Sequence, residues 1–193
     1  TGYRQALPLL IKGLEKLEYR GYDSSGIAII NTKNSDLVCN KSAGKLKNLI
    51  SKVSNKKIIG TVGIGHTRWA THGKPIVKNA HPHLDTTGTV AVVQNGIIEN
   101  FQDLKTKLEN EGIIFQSDTD TEVIPNLIQR ELNNLSKLNL ENNGSTLLIA
   151  VRNVLSDLEG AYALAVLWSG APDSLVVARR QAPLIIGLGE GEF

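Results

Sequence analysis

Apolar residues recur along this chain with two different periods, and the switches between them predict its elements. Leu7, Leu10, Leu14 and Leu17 lie three or four positions apart, the spacing of a helix with one buried face. Residues 26–30 and 36–41 read as two strands joined by a polar turn at 31–35. A short helix follows Gly44 and buries Leu46, Leu49 and Ile50, and two further strands span 61–65 and 89–94. The helical period returns after Asn100, a candidate cap, with Phe101, Leu104 and Leu108 inward and a stop at Gly112. Thr119 or Asp120 caps a helix that turns Val123, Ile124, Leu127 and Ile128 inward. The asparagine-rich stretch 133–143 reads as a tolerant surface insertion, and 145–158 as a helix through Leu148, Val151, Leu155 and Leu158. Strands at 161–168, 174–178 and 183–187 complete the series. Strand pairs at both ends with helices grouped between them predict an α+β fold, antiparallel sheets with helices stacked outside. No repeat or interdomain linker divides residues 1–193.

Two of these strands end in chemistry. The strand at 61–65 delivers His66-Thr67-Arg68-Trp69-Ala70-Thr71-His72-Gly73, which sets an arginine, an indole, a hydroxyl and two imidazoles on one stretch. The strand at 89–94 delivers Asn95-Gly96, a carboxamide donor beside an unshielded backbone N–H, which is the equipment of an oxyanion hole for acyl transfer. No nucleophile accompanies them. Cys39, the only cysteine, falls within a predicted strand, where a small buried hydrophobe is the favoured role. Thr1 leads straight into a helix, whereas a terminal nucleophile should open a buried strand.

Composition narrows the picture. The net charge is +2 with the basic residues spread out, so nucleic acid is not an expected partner. A lone cysteine points to a reducing, cytoplasmic setting, and the apolar runs are too short to span a bilayer. The histidines at 66, 72, 81 and 83 match no strong zinc spacing, so no metal or other cofactor is expected. Gly187-Leu188-Gly189-Glu190-Gly191 lacks a following helix and reads as a turn rather than a phosphate loop. The absence of methionine, with an ending just after a strand-like run, reads as a fragment truncated at both ends.

A further motif, Leu17-Glu18-Tyr19-Arg20-Gly21-Tyr22-Asp23-Ser24-Ser25-Gly26, precedes these two, and Asp118-Thr119-Asp120-Thr121-Glu122 follows them. In this order the four resemble the glutaminase domains of the glutamine–fructose-6-phosphate aminotransferases, within the class II glutamine amidotransferases. The resemblance covers nearly the whole chain. It implies an N-terminal nucleophile hydrolase fold, a four-layer αββα sandwich, here without its first strand and that strand's terminal cysteine. It implies hydrolysis of glutamine to glutamate through a thioester. The ammonia would pass to fructose 6-phosphate on C-terminal sugar isomerase domains that this chain does not contain and through which the protein would dimerise.

Glutamine makes chemical sense of the residues. Its α-carboxylate needs a planar cation, which Arg68 supplies as a bidentate fork. Asp120 is the family-matched anion for the α-ammonium, and Asn95 with the Gly96 N–H would hold the oxyanion. Trp69, Thr71 and His72 match a loop that closes over bound glutamine. One departure stands out: Gln94 occupies the position before Asn95 where this family more commonly has histidine. Two rival readings are the glutaminase half of another class II amidotransferase, such as the one opening purine synthesis, and a glutamine-binding pseudoenzyme.

Overall fold

The computed structural model describes residues 1–69 and 74–192. Helix α1 (Ala6–Leu17) leads into a hairpin of β1 (Ser24–Ile30) and β2 (Leu37–Ala43), then α2 (Leu46–Val53) and β3 (Gly63–Arg68). A two-residue strand β4 (His83–Leu84) precedes β5 (Val90–Gly96), after which α3 (Phe101–Asn110), α4 (Val123–Lys137) and α5 (Gly144–Leu155) follow in succession. The chain returns through β6 (Tyr162–Trp168) and β7 (Val176–Arg180). Two antiparallel sheets result, ordered β2-β1-β3 and β4-β5-β6-β7.

Strand alternation decides which face each residue serves, and three apolar clusters record the outcome. Ile27 and Ile29 of β1 pack against Ala6 and Leu14 of α1 and Leu46 and Leu49 of α2. Their neighbours Ala28 and Ile30 point the other way and meet Ile64, Ala91 and Leu167 between the sheets. On the far side Val90, Val92, Leu164 and Val166 pack under Leu108, Ile124, Leu127 and Leu147 of the three later helices. The order is therefore helices, sheet, sheet, helices, the four-layer αββα arrangement. No helix among the described residues is long and apolar enough to cross a membrane.

Several expectations are corrected. The stretch 133–143 is not all insertion, because α4 continues to Lys137 and Leu132 and Leu135 stay buried. Its asparagines took the eye, but the apolar period runs on beneath them. Helix α5 turns Leu147, Ala150, Val151 and Val154 inward; of the expected face Val151 and Leu158 are buried, Leu155 is half-buried and Leu148 is 47% exposed. The Asn143 side chain starts that helix, accepting the Thr146 N–H at 3.0 Å. Asn100 stands at the start of α3 without capping it; its amide donates to the Asp157 carbonyl at 2.8 Å and its oxygen accepts the Glu159 N–H at 3.0 Å. Thr119 and Asp120 do not cap α4 either, because a 3-10 turn (Asp120–Glu122) intervenes and no side-chain cap forms. Residues 183–187 join neither sheet, and Ile185 is 92% exposed. An apolar run has strand propensity, but a strand exists only where a partner takes up its backbone hydrogen bonds.

Candidate active site

Near the ends of β3 and β5 the two sheets leave between them a cavity of about 510 Å³. Arg68, Trp69, Asn95, Gly96 and Asp120 all line it, together with Arg20, His66, His81 and Gln94. Its volume lies in the range of small-molecule pockets. The structure thus brings together the predicted site residues that it describes. Thr71 and His72 lie outside the described residues.

Arg68 closes β3, and the upstream motif exists largely to place it. Gly21 runs against the Arg68 backbone so tightly that a Cβ there would sit 2.9 Å from the Arg68 carbonyl carbon. The Asp23 N–H donates to the Arg68 carbonyl at 3.3 Å, and the Asp23 carboxylate stands 3.8 Å from the guanidinium. Glu18 serves elsewhere, accepting the Leu46 N–H at 3.1 Å to start α2. The guanidinium is buried, so its charge acts in a medium that screens it weakly. Trp69 is 60% exposed and meets Tyr22 edge to face at 5.3 Å, forming a rim rather than a wall.

Asn95 and Gly96 end β5 where its neighbour has already stopped. β4 pairs only with Ala91 and Val92; past them His81 Nδ1 takes the Gln94 N–H, and no strand among the described residues covers the edge at Asn95 and Gly96. In an antiparallel ladder successive N–H groups point to opposite edges. The Ile97 N–H donates to Ala161 of the β6 side at 2.9 Å, which turns the Gly96 N–H to the uncovered edge bordering the cavity. Only glycine fits there: φ is +125°, and a Cβ would fall 2.0 Å from the Ala161 carbonyl oxygen.

The acidic motif is spent residue by residue. Asp118 pairs with Lys78 at 2.8 Å, the Thr119 hydroxyl lies 3.1 Å from His83 Nε2, and Glu122 accepts the N–H groups of Gln116 and Ser117. Asp120 is buried, and one carboxylate oxygen accepts the Ile98 N–H at 2.8 Å. That bond ties the carboxylate to the chain just past Asn95-Gly96. An anion is thereby fixed on the β5 side of the cavity and a cation on the β3 side.

Beneath the cavity three imidazoles pack ring on ring. His66 stacks on His81 at 4.4 Å, and His83 meets His81 edge to face at 4.8 Å. Burial, reinforced by the Arg68 charge, pushes His66 down to about 4; burial drives His81 and His83 well below the ordinary histidine value. Among the described residues no group of three or more histidine, cysteine or acidic side chains could hold a metal ion. Cys39 is absent from the cavity lining, packs beside the inter-sheet cluster, and has its thiol pushed up by burial. Sequence reasoning passed over Arg20, Gln94 and His81 as cavity residues. A strand-end signal for Gln94 was present, whereas His81 reaches the site only through the long connection after β3.

Comparison with known proteins agrees with this geometry. A family model described as a glutamine amidotransferase domain matches residues 66–192. The chain is 54% identical over 192 residues to the glutamine–fructose-6-phosphate aminotransferase [isomerizing] of Thermosynechococcus vestitus, a match covering 100% of this chain and 29% of that protein. The protein of the same name from Gloeobacter violaceus is 52% identical over 99% of this chain and 30% of its own length. The chain thus spans about 30% of these curated relatives. Among solved structures, the glutamine phosphoribosylpyrophosphate amidotransferase of B. subtilis superposes with a TM-score of 0.72 at 30% identity, over 92% of this chain and 35% of that one. With the family model covering more than half of its residues and the fold shared with amidotransferases of the N-terminal nucleophile type, the chain belongs to the class II glutamine amidotransferases.

Proposed function

We propose that this chain is the glutamine site of an enzyme that makes glucosamine 6-phosphate from fructose 6-phosphate. The observation that carries the reading is the placement of a buried cation, a buried anion and an uncovered Asn-Gly strand end around one cavity. Arg68 takes the α-carboxylate of glutamine, Asp120 its α-ammonium, and the side-chain amide then reaches Asn95 and Gly96. Trp69, with Thr71 and His72, covers the bound substrate. Attack by a thiolate on the amide carbon places negative charge on its oxygen, which the Asn95 carboxamide and the Gly96 N–H hold. Ammonia leaves, water cleaves the thioester, and glutamate departs.

Cys39, outside the cavity, is not that nucleophile, and the chain as it stands does not hydrolyse glutamine. A terminal cysteine on a further strand completes the site in this reading, and isomerase domains beyond Phe193 supply the acceptor. The names and 52–54% identity of the relatives support fructose 6-phosphate over phosphoribosylpyrophosphate as that acceptor. The protein then works in the cytoplasm and dimerises through those domains.

Titration calorimetry with L-glutamine tests the binding site on the chain itself. Saturable binding is expected, lost in Arg68→Lys and Asp120→Asn variants that keep the native circular dichroism. Absence of binding, or binding indifferent to both substitutions, overturns the reading. Glutamate release above a heat-treated control would overturn the missing nucleophile.

A further inference from the structure

Gln94 precedes the Asn95-Gly96 strand end, and its backbone N–H and side-chain oxygen both find buried partners, while its Nε2 is buried without one among the described residues. Its backbone N–H donates to His81 Nδ1 at 3.3 Å. The Thr121 hydroxyl donates to its side-chain oxygen at 2.7 Å and lies 3.4 Å from His81 Nε2. All three side chains are buried.

The directions of the two bonds to His81 are forced. A backbone N–H can only donate, so His81 Nδ1 accepts. A neutral imidazole with an accepting Nδ1 carries its proton on Nε2, which must then donate to the Thr121 oxygen. The Thr121 proton is left to go to Gln94, whose oxygen, not its nitrogen, faces the hydroxyl. The ring of bonds runs Gln94 to His81 to Thr121 and back to Gln94, and it closes only with His81 neutral and in one tautomer. Burial, with the neighbouring charges of Arg68 and Lys41, favours that neutral form.

We infer that Gln94 and Thr121 are positioning residues, which lock the neutral His81 ring and through it fix the strand end carrying Asn95 and Gly96. The same circuit joins that strand end to the turn holding Asp120, since Thr121 is the next residue. Two halves of the glutamine site are thereby held in register by uncharged bonds. Only the purpose of this register rests on the glutamine reading; the circuit itself does not.

Nitrogen-15 NMR of the labelled chain tests the circuit without any ligand. His81 is expected as the Nε2–H tautomer at neutral pH, kept in Thr121→Ser, Thr121→Val and Gln94→Leu because the backbone N–H of residue 94 remains, with the Nε2–H proton resonance moved upfield only in Thr121→Val, where its acceptor is gone. A charged His81 or the opposite tautomer in the unaltered chain overturns the circuit.

The positioning role is read from two ligands. Glutamate puts a full negative charge on the Asn95 and Gly96 donors, whereas glutamine offers only a neutral carbonyl. Thr121→Val should therefore weaken glutamate about tenfold more than glutamine, the scale of one lost charge-assisted hydrogen bond, with Thr121→Ser restoring the ratio. Equal loss for both ligands, or none, overturns positioning while leaving the glutamine site intact. If the unaltered chain binds neither ligand, the glutamine reading and the positioning role fall together, and the tautomer result still decides the circuit.

Discussion

At the scale of single residues, charge and shape make different demands, and two substitutions separate them. Lysine at position 68 keeps the positive charge but loses the planar fork that can meet both carboxylate oxygens. Arg68→Lys should weaken glutamine use by roughly 1–3 kcal/mol, the scale of a charge-assisted hydrogen bond, in a version bearing the terminal cysteine. An unchanged specificity constant for glutamine would remove Arg68 from the carboxylate site. Asn95→Ala in that version should act on the chemical step, because oxyanion charge appears only as the thiolate attacks. Turnover per folded site should fall about a hundredfold to a thousandfold with little change in glutamine affinity. If Asn95 only shapes the turn, the melting temperature drops instead and turnover survives. Its exposure at an uncovered strand end favours the first outcome.

At the scale of elements, what decides structure is where backbone groups find partners. Asn143 supplies one of the four donors at the start of α5 with an acceptor. Asn143→Ala should destabilise the fold by about 1 kcal/mol, read as a lower urea midpoint at unchanged slope; no change would mean that water satisfies the Thr146 N–H equally well. This cap also shows what was legible beforehand. Helix α1 was readable because Leu14 lies on its one buried face, and β5 because the continuous apolar run at 90–93 suits a strand buried on both faces. The motif residues Arg68, Asn95, Gly96 and Asp120 were readable because each sits at an element end, where chain direction and side-chain chemistry coincide. The strand expected at 183–187 failed because pairing is non-local and sequence carries no record of an absent partner. On α5 Val151 and Leu158 are buried as expected, but Leu147 takes the place expected of Leu148, because the two are equally apolar and only packing chooses between them. His81 was read only as one of four histidines without zinc spacing, and nothing in that spacing reveals that its ring would meet the Gln94 backbone across 13 residues.

At the scale of the whole molecule, three buried imidazoles couple the fold to pH. In the folded chain they stay neutral, His66 down to about 4 and His81 and His83 well below the ordinary value, with burial the largest cause for each. An unfolded chain protonates the same rings near 6.5. Between about 6.5 and 4, therefore, the unfolded state binds more protons than the folded one, and stability must fall as pH is lowered through that window. Carboxylates cannot produce the upper part of the effect, since unfolded Asp and Glu take up protons only near 4. Urea midpoints measured between pH 7.5 and 5 should therefore decline steadily, and the decline should be shallower in His66→Gln, which removes one of the three rings. A flat profile over that range would mean that the rings protonate as readily in the folded chain as in the unfolded one. The stack beneath the cavity would then be open to water, and the dry, uncharged floor on which Arg68 and Asp120 depend for their strength would not exist.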